Sequence, residues 1–335
     1  MKTCSGIRRR ALPGLAAAPL LPAAVARGQG PDAPPRAAGA APPRAVATVG
    51  MLGDMLRAVA GPELRAETLM GEGVDPHLYR PTRADIARLL AADAVFAIGH
   101  RLEGRMEDVF ERLRAAGRTV VTVAEALPRA TLRTHPAYPD SADPHIWMDP
   151  LLWAEAMAPL TEAVLALAPT LHEDVRGRGE QYRRTLERLD VYARRVLGAV
   201  PADRRILVTA HDAFGYFGAR YGLQLQSLQG ISTDSEASLA RVEGLVTLLV
   251  TSRVPAIFAE SSVPDRAVRA LIEGAAARGH AVALGGTLFS DAMGRPGTYE
   301  GTYEGMLDHN ITVIARALGS PEVPRRGLNG RLAPA

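Results

Sequence analysis

Two Asp-Pro-His triplets, Asp75-Pro76-His77 and Asp143-Pro144-His145, are the first residues whose types and spacing suggest chemistry. Each proline fixes its own φ angle and pushes the preceding aspartate into an extended conformation, so the histidine that follows is expected on a stiff loop. A single triplet is better explained by an exposed turn. Two rigidly held imidazoles on separate loops are what a metal site requires, and the pair therefore favours metal binding.

Polar residues beyond the predicted strand ends complete a candidate set of metal ligands. Ligands in open α/β sheets gather outside the carboxyl ends of strands. This rule selects four residues, two from each predicted half of the chain: His77, His145, His211 and Asp291. Neutral imidazole suits zinc, and a carboxylate admits manganese or ferrous iron. The sequence thus predicts a site for a divalent transition metal, with no catalytic residue and no organic cofactor.

Acidic residues near these positions have two interpretations. They either form turns and cap helices, which is the more common role, or accept the second ring N–H of a ligand histidine. The residues in question are Asp75, Asp143, Asp149 and Asp212. Glu260, which follows a predicted strand facing the same cleft, is expected to be a neighbour of the metal rather than a ligand.

The remaining histidines are less favoured as metal ligands. His100 ends a predicted strand and is the best spare candidate, although a single histidine is more often a core or surface residue. His135 precedes His145 and is either an exposed bystander or a transient metal contact. No metal role is predicted for His172, His280 or His309.

Short apolar segments alternate with amphipathic ones, which predicts βαβ units and parallel sheets flanked by helices. Strands are predicted over 45–49, 65–70, 94–98, 119–123, 205–209, 255–259 and 281–284. Helices are predicted over 51–60, 102–116, 153–167, 213–221, 238–251, 265–279 and 306–318. A further helix is capped by Thr82 and places Ile86, Leu89 and Leu90 on one face.

One long helical pattern lies between Pro169 and Pro201. At about 1.5 Å per residue, roughly thirty residues span about 45 Å, more than one small domain needs. We interpret it as a helix that connects two lobes; the alternative is a surface helix of the first lobe. The predicted division is an N-terminal α/β lobe (45–168), the connecting helix (169–201) and a C-terminal α/β lobe (202–319).

Both termini have the composition of non-globular segments. Residues 1–26 resemble a secretory signal peptide, in which basic residues precede an apolar run that ends in Ala24-Val25-Ala26. The cluster Arg8-Arg9-Arg10 also fits a twin-arginine signal, so both export routes stay open. Residues 27–44 are rich in proline and alanine and predict a disordered linker, and residues 320–335 predict a frayed tail.

The formal charge of +3 is concentrated in the leader. Its removal takes away four basic residues and no acids, which leaves 39 − 4 = 35 basic against 36 acidic residues, a net charge of −1. A chain with this balance has no excess of positive charge to attract nucleic acid, so nucleic-acid binding is not expected. The single cysteine, Cys4, precedes the apolar run and is badly placed for a lipid anchor. Beyond the leader no segment approaches about 18 uninterrupted apolar residues, so no membrane span is expected.

Five motifs together resemble the zinc- and manganese-binding solute-binding proteins of ABC importers, a family that includes metal-binding lipoprotein adhesins. The motifs lie at 73–82, 143–150, 209–217, 260–264 and 288–294, and the resemblance covers about 46–318. It implies two α/β lobes joined by one long helix and a metal buried between them. The ligands it implies are the same four residues. It also implies a periplasmic monomer, not an enzyme, that delivers its ion to a membrane permease and ATPase.

The choice of metal stays open within this resemblance. Members of the family that this chain resembles favour manganese when the third ligand is a glutamate. This chain has His211 at that position, which favours Zn²⁺ and leaves Mn²⁺ open. Fe²⁺ is less favoured. The loop before the second ligand motif is short and holds only His135, which argues against a dedicated zinc scavenger. Two other functions remain in competition: an exported metal-dependent hydrolase with Glu260 or Asp212 as base, and a metal-sequestering or adhesive surface protein.

Overall fold

A four-stranded parallel sheet forms the base of the first lobe. Its strands are β1 (Arg44–Ala47), β2 (Arg65–Thr68), β3 (Ala94–Ala97) and β4 (Thr119–Thr122). They are ordered β2-β1-β3-β4, and the register places Ala45 beside Ala66 on one side and Ala94 on the other. The computed structural model describes residues 41–135 and 138–333, so the predicted signal peptide (1–26) and most of the predicted linker lie outside the described residues.

Helices follow these strands and cover the sheet. They are α1 (Gly50–Ala60), α2 (Arg83–Leu90), α3 (Glu107–Ala115), α4 (Pro150–Glu155) and α5 (Met157–Leu167). The predicted cap of α2 is present: the Thr82 hydroxyl accepts the Asp85 backbone N–H, and the Asp85 carboxylate accepts the Thr82 N–H, which completes a capping box. The prediction for its apolar face was wrong at Leu90, which is 45% exposed.

A short antiparallel hairpin lies in the segment predicted as a loop before His145. It consists of β5 (Thr134–His135) and β6 (Tyr138–Ala142). The alternation of apolar and polar residues that predicts a strand is weak here, because the two strands are only two and five residues long. The hairpin ends three residues before His145 and so delivers the second Asp-Pro-His triplet.

The second lobe repeats the strand–helix alternation. After the long helix α6 (His172–Gly198), its elements are β7 (Ile206–Thr209), α7 (Gly215–Tyr221), β8 (Gln224–Ser227), α8 (Leu239–Thr251), β9 (Ala256–Glu260), α9 (Arg266–Ala277), β10 (Ala283–Leu288) and α10 (Tyr303–Ala317). β7 pairs with β8 and β9 with β10, all parallel, and β7 lies beside β9. The chain thus has two α/β lobes with parallel sheets, as the sequence predicts.

The long helix α6 joins the two lobes. It has 27 residues, about 40 Å at 1.5 Å per residue, and packs against α1 and α4 on one side and α7 and α10 on the other. Its buried stripe, which includes Leu186, Leu189 and Val196, belongs to one apolar core shared with the first lobe and α10. A helix buried against both lobes leaves little freedom for large hinge motions. The exact limits predicted for the lobes stay predictions.

Two expectations about the second lobe were wrong. β10 does not end at Leu284: it continues through Gly285 and Gly286 to Leu288, because a bulge and a φ of 138° at Gly286 let the strand pass a position that an L side chain rarely adopts. The C-terminal tail is also not frayed over 320–333. Leu332 is 5% exposed, and the Leu328 backbone N–H donates to the buried Asp308 carboxylate at 2.8 Å.

The segment Pro150–Leu167 is long and apolar enough to pass as a membrane span by composition. In the fold it is two helices that meet at Ala156, and Trp153, Leu160 and Val164 are buried in the core of the first lobe. Burial against protein explains its apolar character.

Candidate metal centre

Four side chains from four separate loops converge at one point. The structure brings His77, His145, His211 and Asp291 together, each offering one nitrogen or oxygen atom, with all these atoms within 4.8 Å of one another. His145 and His211 are fully buried, and His77 and Asp291 are only 4% and 1% exposed. The set that the strand-end rule selects is therefore a single cluster.

The two Asp-Pro-His triplets fold in the same way. In each, the aspartate Oδ1 accepts the backbone N–H of the histidine two residues later, at 2.9 Å in the Asp75 triplet and 3.0 Å in the Asp143 triplet. This Asx turn holds each histidine against its loop. The prediction of stiffly held imidazoles thus has a physical cause in both loops.

Beyond the turn, the two aspartates differ. Asp143 Oδ1 also lies 2.8 Å from His145 Nδ1, so this carboxylate orients the ring and leaves Nε2 to face the cluster. Asp75 does not contact the His77 ring; its Oδ2 accepts the Thr233 hydroxyl at 2.6 Å. One triplet therefore fixes its imidazole, and the other ties its loop to the second lobe.

His211 follows β7 and is fixed by the end of β9. Its backbone N–H donates to Glu260 Oε1 at 2.8 Å, and its Nδ1 lies 2.5 Å from Glu260 Oε2. Glu260 is 3% exposed and is the neighbour that the sequence predicts rather than a member of the cluster. It acts on the metal site through the ring of His211.

The loop after β10 places Asp291 beneath the three imidazoles. The Asn310 side chain both accepts the Phe289 N–H at 2.9 Å and donates to the Phe289 carbonyl at 2.7 Å. The Trp147 indole N–H donates to the Ser290 carbonyl at 2.8 Å, which joins this loop to the first lobe. Asp291 is thus held from both lobes.

The distances around Asp291 describe a compact N₃O cluster. Its oxygens lie 3.1 Å from His211 Nε2, 3.5 Å from His145 Nε2 and 3.8 Å from His77 Nε2. Bonds of about 2.0–2.1 Å in a tetrahedral zinc site separate the ligand atoms by roughly 3.3 Å. Small inward shifts of these side chains suffice to reach bonding distance to one ion.

The charges of the cluster decide its protonation. Burial, reinforced by the other imidazoles, lowers the pKa of His77 to about 3, so its ring is neutral at physiological pH. Burial also disfavours the charged form of His211, but the carboxylates of Asp291 and Glu260 outweigh it and raise the pKa of His211 well above its usual value. Burial opposes ionisation of Asp291 too, yet the adjacent His211 holds the Asp291 pKa below its ordinary range.

Six buried polar atoms of the cluster have no hydrogen-bond partner. They are both ring nitrogens of His77, the Nε2 atoms of His145 and His211, and both carboxylate oxygens of Asp291. Unpartnered polar atoms are rare in protein interiors because desolvating them is costly. A cation bound among them removes that cost, and the donor set of imidazole and carboxylate fits a divalent transition metal.

The other acidic candidates have mixed roles. Asp143 both forms a turn and contacts a ring, whereas Asp75 forms a turn and accepts the Thr233 hydroxyl but contacts no ring. Asp149 caps α4 by accepting the Leu151 N–H at 2.9 Å, and it pairs with Arg220 at 3.1 Å. The Asp212 backbone N–H donates to the Gly230 carbonyl.

The other histidines lie outside the cluster in the part of the chain that the structure describes. His172 is exposed beside Glu173, and the Nε2 atoms of His280 and His309 contact backbone carbonyls at 2.9 Å. His100 lines a cavity next to His77. The side chain of His135 lies outside the described residues.

Several contacts that position the site escape sequence reasoning. Tyr216 in α7 donates to the Asp143 carbonyl at 2.8 Å and accepts the Arg133 N–H, and Trp147 lies 5.3 Å from the His145 ring. Trp147 is part of the Asp-Pro-His-Ile-Trp-Met-Asp-Pro run, which was a signal for it. Tyr216 likewise lies within the motif at 209–217, whereas nothing in the local sequence points to Thr233.

Comparison with known proteins finds one matching family and similar proteins that are named for metal binding. Residues 45–317 match the protein family described as the periplasmic component A of zinc-uptake complexes, ZnuA. The zinc-binding protein TroA of Treponema pallidum (strain Nichols) is 44% identical over 279 residues, which cover 82% of this chain and 89% of TroA. The manganese-binding lipoprotein MntA of Bacillus subtilis (strain 168) is 43% identical over 274 residues, 81% of this chain and 88% of MntA.

The fold is also similar to a solved structure. The periplasmic zinc-binding protein TroA from Treponema pallidum superposes with a TM-score of 0.80 at 43% identity, covering 83% of this chain and 99% of that structure. The agreement extends over both lobes and the long helix between them.

Proposed function

Because the chain belongs to the family of periplasmic components A of zinc-uptake complexes, we propose that it is the substrate-binding protein of an ABC importer. It captures Zn²⁺ or Mn²⁺ between its two lobes and delivers the ion to a membrane permease and its ATPase. The metal is cargo in this function, bound on one side of a transport step and released on the other.

One observation carries the proposal: four buried side chains from separate loops present unpartnered donor atoms to a common point. We assign the ligand roles to His77, His145, His211 and Asp291. The Asp143 and Glu260 carboxylates support the second and third ligands by fixing Nε2 toward the ion, an arrangement that commonly accompanies metal-binding histidines.

The donor set bears on the choice of metal. Three neutral imidazoles and one carboxylate favour Zn²⁺ over Mn²⁺ in intrinsic affinity, with Fe²⁺ between them in the Irving–Williams order. TroA is named for zinc and MntA for manganese, at nearly equal identity to this chain. We propose Zn²⁺ as the tighter ligand and Mn²⁺ as an accepted cargo, and we place Fe²⁺ behind both because no feature of this set selects it.

A binding role fits this site better than catalysis. A catalytic zinc keeps one coordination position open for water beside a general base. Here four protein ligands fill a tetrahedral shell, and Glu260, one of the two acids considered as a base, already contacts the His211 ring and backbone. The proposal is therefore a carrier without enzymatic activity.

Delivery requires that the site opens. Since α6 packs against both lobes, we propose a limited separation of the lobes at the His77 side. There the Thr233 hydroxyl meets Asp75 at 2.6 Å, and Arg105 pairs with Asp234 at 2.5 Å. We also propose that the mature carrier acts as a periplasmic monomer exported by its leader.

Metal content and metal-dependent unfolding test the function. Protein isolated from its own periplasm is expected to hold one zinc or manganese ion per chain. An ion present at about 100 times its Kd is expected to raise the free energy of unfolding by about 2.7 kcal/mol. The gain should vanish in Asp291→Asn and persist in His172→Asn, a matched change at an exposed histidine. Equal melting of the apo and metal-loaded wild type would overturn the proposal.

A further inference from the structure

Three consecutive residues after β3 have a left-handed backbone. The φ angles are 88° at Gly99, 49° at His100 and 65° at Arg101. Glycine adopts such angles freely, but an L side chain meets steric strain there, and two in succession are unusual. Strain of this kind persists where the surroundings enforce it, and it concentrates at functional sites.

Two carboxylates hold this turn, the buried Glu103 and the exposed Glu125. Glu103, which is 1% exposed, accepts the Ile98 N–H at 2.9 Å and the Gly99 N–H at 3.1 Å. The His100 N–H donates to the Glu125 carboxylate at 3.1 Å. These hydrogen bonds hold the turn in its left-handed conformation, and the turn determines where the His100 ring lies.

The His100 ring is arranged like that of a metal ligand. Its Nε2 is buried and has no hydrogen-bond partner. The ring also has a hydrogen bond with the Ala124 backbone, which must involve the other nitrogen. A ring that donates through Nδ1 keeps a free lone pair on Nε2, the tautomer that metal-binding histidines use. Burial lowers the pKa of His100, which keeps that lone pair available.

His100 and His77 line the same cavity, whose volume is about 450 Å³. His145, His211 and Asp291 are not among its lining residues, so the cavity meets the metal cluster at His77 alone. We call this cavity the vestibule.

Charged residues in the vestibule wall offset one another. Arg105 pairs with Asp234 at 2.5 Å, and Arg101 interacts electrostatically with Glu107. The two imidazoles are thus the uncharged nitrogen donors that the vestibule offers to a cation.

We propose that His100 binds the incoming metal ion transiently in the vestibule, in place of one of its waters, and passes it to His77. The proposal rests on the proposed carrier function and adds a second, weak site for the same class of ion, a hydrated divalent transition metal. A relay of this kind lowers the barrier in both directions. It changes the association and dissociation rate constants by the same factor and leaves the equilibrium affinity unchanged.

Stopped-flow kinetics on the full mature chain test this relay, with Zn²⁺ as the probe and the fluorescence of Trp147, 5.3 Å from the His145 ring, as the signal. His100→Asn is the informative variant because asparagine tolerates the left-handed region. We expect both rate constants to fall about fivefold or more, equivalent to a higher barrier, with Kd within twofold of wild type. His172→Asn is the control and should leave all three quantities unchanged.

Two outcomes would overturn the relay: unchanged rate constants in His100→Asn, or a weaker affinity with an unchanged association rate. Arg101→Gly relaxes the turn, keeps the imidazole and removes a positive charge from the vestibule wall, so association of the cation should be at least as fast as in the wild type. Slowing in that variant would assign the effect to the shape of the turn and also overturn the proposal. If the wild-type chain takes up no metal, the carrier function fails instead, and the two failures are distinguishable.

Discussion

The Glu260 carboxylate holds His211 at two points, accepting its backbone N–H at 2.8 Å and lying 2.5 Å from its Nδ1. The ring is thereby turned so that Nε2 stands 3.1 Å from Asp291. A buried acid that bonds no metal in the proposed site thus sets the position and basicity of one of its ligands.

Replacing this acid should weaken metal binding without unfolding the chain. Glu260→Gln keeps the size of the side chain and one hydrogen bond but removes the negative charge behind the imidazole. We expect Zn²⁺ affinity to fall about 10- to 100-fold, the range typical for partners of metal-binding histidines. Competition with a chelator of known affinity measures the change. Asp265→Asn, at an exposed acid paired with Arg269, is the control and should retain wild-type affinity.

Metal binding should release a proton from His211. Because the pKa of His211 is raised well above 6.5, the ring is protonated in the metal-free chain at neutral pH, and an ion must displace that proton. The apparent affinity therefore falls as pH drops and levels off above the raised pKa. His77, with a pKa of about 3, contributes no proton near neutrality. Calorimetry at pH 7 in buffers of different ionisation enthalpy should show about one proton per Zn²⁺ from this ring.

The control for proton release is Glu260→Gln. Loss of its charge lowers the pKa of His211, so the number of protons released per ion at pH 7 should decrease. Wild-type binding without proton release would contradict the assignment of a protonated His211.

The candidate ligands could be predicted because their signals are local. His145 and Asp291 each lie three residues beyond a strand end, and His211 lies two residues beyond one. The end of β7 is recognisable from a short apolar run, and parallel packing brings such ends to one edge of a sheet. β6, which is antiparallel, was predicted as a loop, and β10 was predicted to end four residues too early, so these two strand ends were not located. The His77 triplet was recognisable because it repeats the Asp-Pro-His sequence.

The contacts that sequence reasoning could not assign depend on long-range packing, even for Glu260, which was itself expected near the metal. Glu260 is 49 residues from His211, and Trp147 is 143 residues from the Ser290 carbonyl. Those contacts exist only because β7 lies beside β9 and because the two lobes close. The tail was misjudged for the same reason: a composition of proline and glycine predicts fraying, but the acceptor that binds it, Asp308, lies in α10.

The identity of the third ligand should set the preference between metals. In His211→Glu two buried carboxylates, at positions 211 and 260, would face each other, so we expect weak binding of every metal. The double variant His211→Glu/Glu260→Gln removes that repulsion and offers a harder oxygen donor. The ratio of Mn²⁺ to Zn²⁺ affinity should rise about tenfold or more relative to wild type. Parallel competition titrations with both ions give the ratio; an unchanged ratio would contradict the prediction.

The packed C-terminal tail should stabilise the second lobe. Deleting residues 320–335 removes the Leu328 N–H from the buried Asp308 carboxylate and the Arg331 guanidinium that lies 4.3 Å above the Tyr299 ring. Asp308 keeps its bonds from Tyr299 and Thr312, but the loss of a hydrogen bond to a charged group costs about 1.5–3 kcal/mol, so the thermal midpoint of unfolding should fall by several degrees. Adding Asp308→Asn to the truncated chain should recover part of the loss. Equal midpoints for the full and truncated chains would contradict the prediction.

The two Asp-Pro-His triplets should respond differently to the same substitution. Asp143→Asn weakens the contact that orients the His145 ring, so the equilibrium affinity for Zn²⁺ should fall, by about tenfold or more. Asp75→Asn removes no contact of the His77 ring, because Asp75 does not touch that ring. It weakens the hydrogen bond from the Thr233 hydroxyl that joins the two lobes. Its main effect should be faster dissociation of the ion. Thr233→Val removes the same bond from the other side, so it should reproduce the Asp75→Asn dissociation rate; equal behaviour of Asp143→Asn and Asp75→Asn would contradict this division of roles.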